Sequence, residues 1–370
     1  MPGLNLMLKP ASSLCNLRCE YCFYSDVAEN RSVPCYGKMS IDSLEAIVRQ
    51  AFSYADGYVS FSFQGGEPTL MGLDFYRELI RLQKQYNKKN LRVFHSLQTN
   101  GILIDHAWAE FLAENRFLVG LSLDGTREAH DTMRRDGNGA ATYDRVIKAA
   151  ECLSRHGVEF NILCVVNRYT ARHPRKIYQA LKKYGYIQFI PCLDGFSGEK
   201  APFSLSAERY GAFLCGVFDG YYEDFVRGEY VSVRGFDNYV QMCMGLPPES
   251  CAMTGRCSCS PVIEGDGSVY PCDFYVLDDY RLGNVHTHGF AEMLAGDTAL
   301  RFVTESLDTA AECTSCPYAA LCRGGCRRER DAKTKKSRFC TAYRTFFAYA
   351  MPRLTEMAEI LRKEQLNGRK

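Results

Sequence analysis

Cysteine is the residue whose spacing carries the most chemistry in this chain. Of 18 cysteines among 370 residues, Cys15, Cys19 and Cys22 form one group, Cys251, Cys257, Cys259 and Cys272 a second, and Cys313, Cys316, Cys322, Cys326 and Cys340 a third. The spacing Cys15-x3-Cys19-x2-Cys22 offers three thiolates in one loop. They can ligate three irons of a [4Fe–4S] cube and leave the fourth iron without a protein ligand, open to a substrate. A zinc site would need a fourth donor, and the first histidine of the chain is His95. The later groups hold enough thiols for closed four-cysteine sites, either iron–sulfur clusters or zinc sites built on Cys-x2-Cys pairs. Cys35, Cys152, Cys164, Cys192, Cys215 and Cys243 are scattered and read as small buried apolar side chains.

Composition bounds where such thiols operate. Hydrophobic residues make up 46% and charged residues 24% of the chain, ordinary values for a globular protein with a real core, which excludes a disordered or collagen-like chain. A net charge of +2 gives no global positive field, so neither nucleic acid nor an anionic membrane is an expected partner. Residues 1–10 lack the features of a signal peptide, and no window reaches the roughly 18 apolar residues of a spanning helix. The expected location is cytoplasmic, where thiols stay reduced and grouped cysteines bind metal.

The elements that must position these groups follow from apolar patterning. Short apolar runs alternate with amphipathic stretches through residues 1–195, the mark of repeated βα units in an α/β fold. Strands are expected at 4–8, 58–63, 91–97, 117–123, 159–166 and 187–190, with helices near 41–55, 73–87, 105–114, 142–156 and 173–184. Asp105 reads as an N-cap, and Gly157 and Gly185 as helix terminators. In such architectures chemistry collects at the C-terminal ends of strands, where the first cysteine group and Gly65-Gly66-Glu67 both fall. A Tyr- and Phe-rich helical bridge is expected over 196–250, a small cysteine-rich domain over 251–350 with a hairpin near 264–267, and a tail over 351–370. Residues 323–338 carry eight Lys/Arg against two Asp/Glu. That segment reads either as a solvated loop or as an offset to anionic thiolate clusters.

The first cysteine motif follows a strand and has Tyr21 just before its last cysteine. It resembles the signature of the radical S-adenosylmethionine (SAM) superfamily. The resemblance implies a partial (β/α)6 barrel with SAM on the open iron of the first cluster. It also implies SAM contacts from Gly65, Gly66 and Glu67 to the amino group, Ser122 and Asp124 to the ribose, Arg134 to the carboxylate, and Tyr21 and Val165 to the adenine. The later cysteines resemble the SPASM domain of peptide-modifying members. By that pattern Cys251, Cys257, Cys272 and Cys326 ligate auxiliary cluster I and Cys313, Cys316, Cys322 and Cys340 auxiliary cluster II, giving three [4Fe–4S] clusters and leaving Cys259 a non-ligand.

From about residue 4 to 350 the chain resembles the anaerobic sulfatase-maturating enzymes, clostridial type, in segments such as Cys22-Phe23-Tyr24 and Ser96-Leu97-Gln98-Thr99-Asn100-Gly101. This implies oxidation of a Cys or Ser in an unfolded or nascent sulfatase to Cα-formylglycine, through hydrogen abstraction by a 5′-deoxyadenosyl radical. Asp273, next to Cys272, is the implied catalytic base, and Tyr24, Gln64 and Gln98 are candidates for peptide contact. A flavodoxin or ferredoxin is the implied electron donor. The competing readings are a SPASM maturase forming thioethers or epimers in a natural-product peptide, and a non-catalytic zinc or electron-transfer protein.

Overall fold

The computed structural model describes residues 3–367. Its centre is one sheet of ten strands, and the six expected βα strands run through the middle of it as β1 (Leu4–Leu8), β2 (Tyr58–Phe63), β3 (Arg92–Thr99), β4 (Phe117–Ser122), β5 (Phe160–Val166) and β6 (Tyr186–Pro191). All pair in parallel with their sequence neighbours, Leu4 against Val59 and Leu8 against Phe63 on the first ladder. Parallel pairing needs a crossover, and an amphipathic helix supplies each one. Ile41–Tyr54, for example, buries Leu44, Ile47, Val48 and Ala51 on the sheet. Asp105 does cap its helix, accepting from the Trp108 amide at 2.9 Å, and Gly157 and Gly185 take φ of +67° and +79° just past their helices.

The sheet continues beyond these six strands. At one edge β7 (Ser232–Val233) pairs with β6; at the other β8 (Val262–Ile263) pairs in parallel with β1, followed by β9 (Ser268–Tyr270) and β10 (Gly283–Asn284) in antiparallel. The hairpin expected near 264–267 is the β8–β9 turn. The cysteine-rich part of the chain is therefore hydrogen-bonded to the barrel strands, with Met7 opposite Val262.

Two helices fill the stretch expected as a bridge, Ala207–Val226 and Arg234–Cys243. The first packs along the last helix, Cys340–Asn367, which runs unbroken through Pro352. The tail expected from 351 is thus helix as far as 367, because Leu354, Met357 and Ala358 are buried. Residues 1–2 and 368–370 of the expected segments lie outside the described residues. Among the described residues no helix is long and apolar enough to cross a membrane.

Candidate active site

A cavity of about 450 Å³ opens at the C-terminal ends of the barrel strands, within the range of about 300–1,000 Å³ usual for small-molecule sites. Cys15, Cys19 and Cys22 line it together with Cys251, Cys326 and Asp273, so members of all three cysteine groups and the carboxylate face one space. The cysteine loop is braced by the segment after β2: the Gly66 amide donates to the Ser12 carbonyl at 2.7 Å and the Glu67 amide to the Leu14 carbonyl at 2.8 Å. A Cβ on Gly66 would lie 1.9 Å from that Leu14 oxygen, and Gly65 sits at φ +135°. Both glycines line the cavity, but what requires them is the close approach of two backbones.

Glu67 also departs from a simple ligand acceptor. It is 1% exposed and accepts from the Thr69 amide at 3.1 Å, the Thr69 hydroxyl at 2.6 Å, the Thr99 hydroxyl at 2.7 Å and the Asn100 amide at 2.8 Å. Burial raises its pKa against the opposing pull of these donors. Its side chain locks the end of β3 to the loop after β2. Asp124 is likewise fully buried and outside the cavity wall; its carboxylate accepts from the Tyr21 hydroxyl and, at 2.9 Å, from the Val165 amide. Arg134 donates to the Tyr21 oxygen at 2.9 Å, and Nε of Arg134 is buried with no hydrogen-bond partner. Burial works against the Arg134 charge, but Cys19, Tyr21 and Asp124 outweigh it and hold the pKa well above its ordinary value. Tyr21, Ser122, Arg134 and Val165 all face the cavity. Asp124 instead fixes the two that bracket it, Tyr21 and Val165.

Asp273 has a partner that the sequence reading missed. Nζ of Lys9, a fully buried residue just past β1, lies 2.5 Å from its Oδ1. The same ammonium sits 3.8 Å over the ring of Tyr24. Tyr24 is 2% exposed, and its hydroxyl donates to Glu264, which Arg31 also contacts at 2.8 Å. Tyr24 therefore reaches the cavity wall with its hydroxyl already engaged. Nothing in the sequence pointed to Lys9, Arg31 or Glu264, whose partners come from distant parts of the chain. Gln64 donates to Gln98 at 3.0 Å, and Oε1 of Gln64 is buried without a partner beside the cavity.

The thiols fall into three sets. Cys19 is raised to about 11, by burial first and with Cys22 and Cys15 contributing. Cys326 is raised to about 12 by burial first, then by neighbours including Cys251 and Cys257, and Cys272 is raised by burial with Cys326 and Cys257 contributing. Cys322 is raised to about 11 by burial first, with Cys340, Cys313 and Cys316 contributing, and those four line a second cavity of about 520 Å³. Cys259 turns its thiol to the Ala299 carbonyl at 3.7 Å. Among the described residues, no three of these grouped cysteines bring their sulfurs within 4.8 Å of one another.

The comparisons with known proteins agree with this geometry. A model of the radical SAM superfamily matches residues 10–181, and one of the SPASM iron–sulfur cluster-binding domain matches residues 251–317. The cysteine-type anaerobic sulfatase-maturating enzyme of Clostridium perfringens is 48% identical over 97% of this chain and 99% of its own length. The chain belongs to the anaerobic sulfatase-maturating enzymes. The serine-type anaerobic sulfatase-maturating enzyme of Bacteroides thetaiotaomicron is 32% identical over 98% of this chain and 93% of its own. A solved structure described as native anSMEcpe with bound AdoMet and Cp18Cys peptide superposes with a TM-score of 0.93 at 46% identity, covering 97% of this chain and all of that one. As an anaerobic sulfatase-maturating enzyme, this chain has a radical SAM barrel joined to a SPASM domain and three [4Fe–4S] clusters.

Proposed function

We propose that this enzyme oxidises an active-site cysteine of an unfolded sulfatase to Cα-formylglycine, with Asp273 as the base. The identity to a cysteine-type relative, 48% against 32% to a serine-type one, supports cysteine as the target. The observation that carries the reading is the shared cavity: Asp273 stands in one wall with the Cys15, Cys19, Cys22 set and with Cys251 and Cys326.

When bound, the clusters and SAM, reduced by a flavodoxin or ferredoxin, supply a hydrogen-abstracting radical and a sink for the second electron. Cys15, Cys19 and Cys22 hold the first cluster, and Tyr21, Ser122, Arg134 and Val165 line the place for SAM. The unpartnered Oε1 of Gln64 offers an acceptor for a peptide N–H, with Gln98 holding its amide in place. Removing two electrons from the Cβ–SH unit gives C=S only if the thiol proton also leaves. Asp273 receives that proton, and its carboxylate is held by Lys9. Water then replaces sulfur with oxygen, and the sulfur departs as hydrogen sulfide.

Anaerobic incubation with SAM, a reductant and a cysteine-containing sulfatase peptide tests this reading. The expected result is a mass loss of about 18 Da from the peptide, as the thiol-bearing side chain becomes an aldehyde, together with 5′-deoxyadenosine. SAM cleavage with an unchanged peptide, or a peptide altered by thioether formation or epimerisation, would overturn it.

A further inference from the structure

Three donor atoms with no part in this chemistry meet on the helical layer outside the sheet. His106 opens the helix His106–Glu114, and Cys152 and His156 lie four residues apart at the end of the helix Tyr143–Arg155. That spacing puts both on one helix face. One nitrogen from each histidine and the Sγ of Cys152 lie within 4.8 Å of one another, and among the described residues no other group of three His, Cys, Asp or Glu is so close. The rings stand 5.2 Å apart at 60°, which is not a stacked pair. Cys152 is buried, His156 half-buried and His106 exposed, so the group is walled on one side and open to solvent on the other. The one hydrogen bond these side chains make among the described residues joins Nδ1 of His156 to the Cys152 carbonyl at 3.0 Å. Donation there leaves the lone pair on Nε2, free to ligate.

We propose that His106, Cys152 and His156 form a mononuclear transition-metal site, with zinc the ion it takes. Two imidazoles and one thiolate are borderline donors that suit zinc and exclude magnesium and calcium. Zinc–nitrogen bonds of about 2.0–2.1 Å and a zinc–sulfur bond of about 2.3 Å put tetrahedral donors about 3.3–3.7 Å apart. Closing the group by about 1.1–1.5 Å from its 4.8 Å limit is within reach of the exposed His106 side chain. Binding forms a zinc–sulfur bond and releases the Cys152 thiol proton to solvent. A water takes the fourth position on the open side. None of the three residues lines either cavity, so the ion acts as a clamp between the helices that follow β3 and β4 rather than in the radical reaction.

The test uses the protein with all three iron–sulfur clusters in place. It is treated with EDTA, desalted and given zinc, and then read by zinc per chain, zinc-edge X-ray absorption and melting temperature. Wild type should take up one zinc with one sulfur and two nitrogen ligands and melt a few degrees higher for it. His106→Ala removes an exposed side chain, leaves the core untouched, and should bind zinc at least about ten-fold more weakly, since losing even an outer partner of a ligand costs that much. In Cys152→Ala the sulfur ligand should vanish from the spectrum. No zinc uptake, equal uptake by wild type and His106→Ala, or zinc with sulfur ligands alone, as in a cluster site, would each overturn the proposal.

Discussion

Two residues of the cavity wall are constrained in ways a single substitution can separate. Asp273→Asn keeps the shape of the side chain and its place beside Lys9 but removes the proton acceptor. SAM cleavage should persist while aldehyde yield falls by about 100-fold or more, the usual worth of a positioned base; equal losses of both products, measured in one assay, would instead make Asp273 a structural residue. Gly66→Ala tests the brace behind the cysteines. Its methyl would collide with the Leu14 carbonyl at 1.9 Å, and a backbone oxygen has no easy way to move. The cysteine loop should be displaced, so reconstituted protein should hold about eight irons per chain in place of the about twelve of three cubes. A full complement of iron in this variant would show that the loop tolerates the shift. The grouping of the cysteines was legible from spacing, because thiols at short intervals in the chain end up facing one cavity. Lys9 was not, since an isolated lysine gains its meaning only when the fold lays it against Asp273.

At the scale of elements, the helix Arg127–Met133 connects the cavity-facing residues Ser122 and Arg134 to the rest of the barrel. His130 on this helix is fully buried: its Nδ1 takes the Asp124 amide at 3.3 Å, and Nε2 lies 3.0 Å from the Thr142 hydroxyl. Burial first, and then the nearby Arg134 charge, lower the His130 pKa from 6.5 to about 3. A folded pKa below the unfolded one means the unfolded chain binds the extra proton first as pH drops. Stability from this residue is therefore complete above about pH 6.5 and is lost as pH falls from there toward about 3. Between pH 8 and 5.5 the loss should be about 1.4 kcal/mol. Denaturant midpoints of wild type and His130→Gln should diverge most at pH 8 and converge toward pH 5.5, and parallel pH profiles would remove His130 from this role. The strands β4 and β5 and the helix Tyr143–Arg155 around this residue were readable from periodicity to within two residues, but the short helix Arg127–Met133 that carries it was not expected from the sequence. What could not be read was that Asp124 faces inward to Tyr21 and Val165, because alternate strand-end residues look alike until the loops close over them.

On the scale of the whole molecule, the cysteine-rich part and the barrel share a sheet through β1 and β8, and side chains reinforce the join. Phe23, after Cys22, packs edge-on against Phe274, after Asp273, with ring centres 5.0 Å apart. The basic stretch 323–338 contributes as well. Arg328 reaches Asp26 at 3.4 Å, Arg338 reaches Asp194 at 2.7 Å, and Arg327 reaches Glu305 at 2.6 Å. The positive charge of Arg327 and Arg330 also offsets the negative charge of a Cys257 thiolate. The segment is thus a set of ties between regions as well as a counter-charge to thiolates, and charge counting alone does not separate these roles.

The last helix carries the same logic to the far side of the protein. Its first residue, Cys340, belongs to the set around the second cavity, and its second half buries Leu354 and Met357 beside the helix Ala207–Val226. A proline costs a helix interior one hydrogen bond. Arg353, next to Pro352, holds the helix down by pairing with Asp219 at 2.9 Å and lying 4.9 Å over Phe218. Ending the chain after residue 350 would remove Leu354 and Met357, each worth about 2–5 kcal/mol when truncated in a core. Together they approach the whole stability of an ordinary domain, about 5–15 kcal/mol. The shortened protein should melt well below the full chain, and it should give up the iron of the Cys313, Cys316, Cys322 and Cys340 set first, because Cys340 then sits on a helix that has lost its anchor. Iron content and melting temperature, followed together as 351–370 is trimmed from the end inward, should fall most sharply when Leu354 and Met357 are lost. A truncated protein with full iron and an unchanged melting temperature would mean that cluster II depends on its own loops and not on the helix that leads away from it.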